Sequence, residues 1–151
     1  MDDAIMRDSR KCVDLVCRCC GYLCRLMNRI LARTGVNVPL CTAMSVLKER
    51  GEMMMGELAR ELDVSMGAGT NLVDRLLELG YVERMRSESD RRVVKVRMTP
   101  EGLAARERDI ETLTRFWYGI VEQLTPEERA GFFATYDKIL AAADNAPAQE
   151  S

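Results

Sequence analysis

The chain has 151 residues, enough for one domain with a real core. Its 47% hydrophobic and 30% charged residues exclude a disordered chain, and no apolar run nears the roughly 20 residues of a membrane span. A net charge of −2, from 22 Lys and Arg against 24 Asp and Glu, excludes a nonspecific polycation. The acidic start, Met1-Asp2-Asp3, lacks the apolar segment of a secretory signal, so the expected location is cytoplasmic, with no membrane partner.

In chain order, apolar residues recur at helical steps from Lys11 to Arg33 (Val13, Val16, Cys20, Leu23, Met27, Ile30), and Thr34-Gly35 stops that helix. Val38-Pro39 opens a second helix through Glu49, ended by Arg50-Gly51. Met53-Met54-Met55 reads as adaptable core packing. A short helix over 56–62, a turn at Asp63-Val64-Ser65 and a second helix from Met66 to Leu79 follow, closed by Gly80. Residues 81–85 and 93–98 read as two strands around a polar tip, Arg86 to Arg92. Thr99-Pro100 begins a long helix to Leu124. Thr125-Pro126-Glu127-Glu128 begins the last, with threonine and glutamate at capping-box spacing, running to Ala143.

Helix, tight turn, helix and hairpin form a winged helix-turn-helix, which sets one helix in a major groove with a hairpin beside it. From Arg75 to Arg97 there are seven Lys and Arg against four Asp and Glu, a local balance of +3 on an otherwise acidic chain. The fold class expected is mostly α with a small β wing. Residues 1–36 and 103–151 form a helical dimerisation region with apolar stripes (Ile5, Val13 and Leu15; Phe116 and Trp117; Phe132 and Phe133), and residues 37–102 form the DNA-binding lobe. A twofold pair of such lobes matches a palindromic operator.

Six cysteines stand out. Five (12, 17, 19, 20, 24) lie on the first helix, and Cys41 lies on the next. Cys17, Cys20 and Cys24 share one helical face, while Cys12 and Cys19 share another. Three readings stay open: small apolar packing residues, a thiol switch sharpened by Lys11, Arg18 and Arg25, or a metal or iron–sulfur site at Cys17, Cys20, Cys24 and Cys41. No cofactor is required. With no histidine, no P-loop and no dinucleotide fingerprint, no enzyme is expected.

The chain resembles the MarR family of transcriptional regulators over about residues 10–143. The wing carries the resemblance: Asp90-Arg91-Arg92, the alternation Val93 to Arg97, then Met98-Thr99-Pro100-Glu101-Gly102. The resemblance implies a homodimer on pseudo-palindromic double-stranded DNA, acting as a repressor released by a small-molecule effector, thiol oxidation or metal. It places Ser65, Met66, Gly67, Thr70, Asn71 and Arg75 on the recognition helix, with Arg75 near the DNA backbone or bracing the wing. At the wing it has Asp90 hold the tip while Arg86, Arg91 and Arg92 meet DNA. Some members sense peroxide through a first-helix cysteine near the position of Cys17.

One departure concerns Met66-Gly67-Ala68-Gly69, where the family often has basic or polar residues. Either the backbone approaches DNA closely here, or the wing and phosphates dominate binding. The alternative function is a cysteine-based redox or metal protein on a winged-helix scaffold with weak DNA specificity.

Overall fold

In a computed structural model, which describes residues 2–86 and 94–145, the chain forms two compact units, 1–113 and 114–151. The first helix, α1 (Asp3–Leu31), begins well before Lys11 because the Asp2 carboxylate accepts the Ala4 N–H at 2.8 Å. That cap lies outside the apolar periodicity, so the pattern alone starts the helix too late. A 3₁₀ turn (Ala32–Thr34) ends at Gly35, whose φ of 75° suits glycine. From residue 2 to residue 20 every side chain of this segment is exposed.

The core of the first unit gathers around α2 (Val38–Arg50), which is capped by the Asn37 side chain on the Leu40 N–H. Leu40, Met44 and Leu47 of α2 meet Leu31, Leu58, Val73, Leu76, Val96 and Ala105 in one buried cluster. Around it stand β1 (Met53–Met54), α3 (Met55–Glu61), α4 (Met66–Glu78), β2 (Val82–Arg86) and β3 (Val94–Met98). The sheet is antiparallel in the order β1-β3-β2, with Met53 opposite Val96 and Arg84 opposite Val96 on its other side. The expected two-stranded hairpin therefore has a third strand. Met53 is buried as the methionine reading requires, yet it also pairs with β3; two residues are too short to show strand alternation.

The step from β3 into α5 (Pro100–Val121) is a knot of short bonds. Tyr81 O accepts the Thr99 N–H at 3.0 Å, Thr99 Oγ1 donates to Gly80 O at 2.7 Å, and the Gly102 N–H donates back to Thr99 Oγ1 at 3.0 Å. A Cβ on Gly102 would lie 2.0 Å from Tyr81 O, so only glycine fits that helical position.

In the second unit the capping box of α6 (Pro126–Asp144) is complete. Thr125 Oγ1 accepts the Glu128 N–H at 3.2 Å, and Glu128 returns a carboxylate oxygen to the Thr125 N–H at 2.8 Å. Phe132 packs edge-on with Phe133 and stacks with Tyr136, and residues 131–143 are all exposed.

Candidate nucleic-acid interface

The turn between α3 and α4 is built by local chemistry. Asp63 takes a left-handed φ of 51°, tolerable for aspartate, while the Val64 N–H reaches Ala59 O at 3.0 Å. Ser65 then caps α4, its hydroxyl accepting the Ala68 N–H at 3.3 Å. Gly69, Val73 and Leu76 point into the core at helical spacing. Met66, Gly67, Ala68, Asn71, Asp74, Arg75 and Glu78 are exposed.

The two glycines of this helix differ in kind. A Cβ on Gly69 would stand 3.0 Å from that of Ala59, so Gly69 is the close crossing of α3 and α4. A Cβ on Gly67 would meet nothing within 4 Å. Half of the glycine puzzle posed by the sequence is thus internal packing.

Of the residues singled out beforehand, Ser65 and Thr70 both make bonds within α4; Thr70 donates its hydroxyl to Met66 O at 2.9 Å. Among the described residues Arg75 pairs with Glu78 at 2.7 Å. Among the described residues a brace runs from β2 to α4, Arg84 Nη2 to Asp74 Oδ1 at 2.6 Å. Sequence reasoning missed it because the two residues meet only once both elements are folded.

Other wing charges are matched in the same way: Arg97 with Glu83 across the strands at 2.6 Å, and Lys95 with Glu52 at 2.8 Å. The bond from Lys95 holds the Glu52 carboxyl below its ordinary range and raises the Lys95 ammonium in turn. Such exposed pairs contribute little to stability. Arg86 ends β2, exposed and opposite Val94. Asp90, Arg91 and Arg92 lie outside the described residues.

The cysteines separate into two groups. Cys12, Cys17, Cys19, Cys20 and Cys24 are exposed along α1, whereas Cys41 is buried in α2. Burial pushes the Cys41 thiol up, the Asp109 carboxylate adds to this, and the Arg106 guanidinium opposes it. Burial therefore favours the Cys41 thiol over its thiolate. Among the described residues no three Cys, Asp or Glu come together as metal ligands.

Asp109 gave no signal in the sequence. It is 1% exposed on α5, and among the described residues neither carboxylate oxygen has a partner at full hydrogen-bond geometry, Thr34 being near but donating its hydroxyl to Leu31 O. Burial pushes its carboxyl above the ordinary range, while Thr34 and Arg108 pull it back. Among the described residues no single helix is long and apolar enough to cross a membrane.

Comparison with known proteins agrees with this architecture. A family model described as MarR family matches residues 36–94. YsmB, an HTH-type transcriptional regulator of Bacillus subtilis (strain 168), is 31% identical over 103 residues, which are 68% of this chain and 70% of that protein. A MarR family protein from Bacillus stearothermophilus superposes with a TM-score of 0.80 at 25% identity, covering 96% of this chain and 99% of its own. A cysteine-to-serine mutant of MarR from E. coli, solved in complex with operator DNA, gives 0.69 at 26% identity over 84% of this chain and 91% of its own.

Proposed function

The chain belongs to the MarR family of transcriptional regulators, and from that premise we propose that it is a dimeric repressor whose lobe, residues 37–102, docks on each half of a pseudo-palindromic operator. The observation that carries this reading is α4. It is anchored by Gly69, Val73 and Leu76, braced to the wing through Asp74 and Arg84, and leaves a whole face uncovered. That helix enters the major groove with Ser65, Met66, Gly67, Thr70 and Asn71. Arg75 lies toward the phosphates. The wing supplies Arg86, with Asp90 holding the tip for Arg91 and Arg92 in the minor groove. The similar MarR protein solved with operator DNA supports a DNA-binding role. A regulator of this kind works in the cytoplasm, beside the chromosome.

Residues 1–36 and 103–151 are the dimerisation region. Exposed Ile5, Val13 and Leu15 on α1 and Phe132, Phe133 and Ile139 on α6 are the apolar surface a second copy covers. Release from DNA follows from a small molecule, thiol oxidation or metal acting there, with Cys17, Cys20 and Cys24 as the sensing set. Cys41 takes no part, because its thiol is buried and held protonated.

The test is binding of the purified protein to duplex DNA at several salt concentrations, with sedimentation of the free protein. A dimer, a steep fall in affinity with salt and strong preference over random duplex support the proposal. A monomer, or equal affinity for every sequence, overturns it.

A further inference from the structure

The outward face of α4 is unusual for how few hydrogen-bonding groups it offers. Over its first two turns that face consists of Met66, Gly67, Ala68 and Asn71. Met66 arches over Gly56 of α3 yet keeps 56% of its surface exposed. The Ser65 hydroxyl accepts the Ala68 N–H and the Thr70 hydroxyl donates to Met66 O, so each has part of its capacity tied to the helix backbone. The next polar side chains, Asp74 and Arg75, are paired with Arg84 and Glu78. Among the described residues only Asn71 on this face has an amide without a hydrogen bond inside the chain.

Gly67 sharpens the point. Its φ is not in the left-handed region and an added Cβ would touch nothing, so neither backbone nor packing within the chain calls for a residue this poor in helices. Gly119 and Gly131 have the same freedom, so open space alone does not mark a reading residue. At Gly67 it coincides with the exposed face of α4, the face that the DNA-binding reading turns to the duplex.

Major-groove chemistry then selects a base pair. A·T displays the thymine methyl beside the N7 acceptor and N6 donor of adenine, whereas G·C has no methyl and offers acceptors suited to arginine or lysine. An asparagine amide carries one acceptor and two donors, which match adenine. Resting on the DNA-binding reading above, we propose that the first two turns of α4 read A·T pairs in each half-site. The thymine methyl packs on Met66 and Ala68, Gly67 lets the helix lie close to the groove floor, and Asn71 bonds adenine.

The experiment selects duplexes from a random pool with the full chain, then replaces thymine by uracil, which removes only the methyl group. Selected half-sites are expected to carry A·T where α4 contacts them, and uracil there lowers affinity about fourfold per methyl lost. Gly67→Ala is expected to raise the melting temperature while weakening the selected duplex about tenfold, a loss of mismatch size. Half-sites carrying G·C under α4, a uracil series without effect, or a Gly67→Ala protein that binds as tightly as the wild type each overturn the inference while leaving DNA binding intact. A pool that yields no enriched sequence overturns both.

Discussion

Replacing Gly102 by alanine tests the junction that fastens the wing to α5. An alanine Cβ placed without movement would lie 2.0 Å from Tyr81 O and 2.8 Å from Tyr81 C, and real Cβ atoms essentially never come within 3.0 Å. The helix must therefore retreat by roughly 1 Å. The obstacle is backbone, which cannot swing aside as a side chain can. Retreat loosens the Thr99 N–H bond to Tyr81 O and the Gly102 N–H bond to Thr99 Oγ1, both now 3.0 Å. Overpacking of this kind costs about 1–3 kcal/mol. Each loosened hydrogen bond forfeits about 1 kcal/mol, and the better helix propensity of alanine returns about 1 kcal/mol. The net expectation is destabilisation by about 2–4 kcal/mol. Urea unfolding followed by circular dichroism, at one fixed protein concentration, measures it. Gly67→Ala is the matched control, since its added methyl meets nothing. A Gly102→Ala midpoint at or above that of the wild type would refute the reasoning.

Three further outcomes follow from other parts of the molecule. Asp109→Asn should gain stability relative to wild type as pH rises. The raised folded pKa of Asp109 means its burial costs nothing below the unfolded value, near 3.8, and costs progressively more as pH climbs through the folded value. Unfolding curves of the two proteins that stay parallel from acid to neutral pH would remove that assignment. In a thiol-labelling time course read by mass spectrometry, Cys41 should react last, and slowly enough to report unfolding; early Cys41 labelling counts against its buried, protonated state. Thr125→Ala should cost about 1 kcal/mol by opening the α6 capping box, whereas an unchanged melting curve would show the cap to be idle.

The features readable in the sequence were those written locally. Thr125 and Glu128 sit three residues apart on one turn, and Gly35, Gly51 and Gly80 each end a helix at positive φ, so neighbours in sequence were enough to place them. The α3–α4 turn was legible for the same reason. What escaped depends on distant residues meeting: Met53 pairing with Val96, Arg84 reaching Asp74, and Gly69 fitting under Ala59. Asp109 escaped most completely. An acid on an amphipathic helix normally reads as solvent-facing, and nothing nearby in sequence marks it as buried. The Asp2 cap escapes a periodicity argument because it stands ahead of the apolar residues that mark α1.

The long uncovered stretch of α1 has a consequence at the scale of the cell. A helix whose apolar side has no cover in its own copy frays when alone, since isolated helices hold little stability in water. In the dimer proposed above a second copy would supply that cover, so folding and assembly would become one equilibrium and the competent fraction would rise with abundance instead of staying fixed. At low expression, active species then scale nearly with the square of copy number. For the dimeric repressor proposed above, halving synthesis would cut operator occupancy by more than half and give the genes it controls a threshold with no added circuitry.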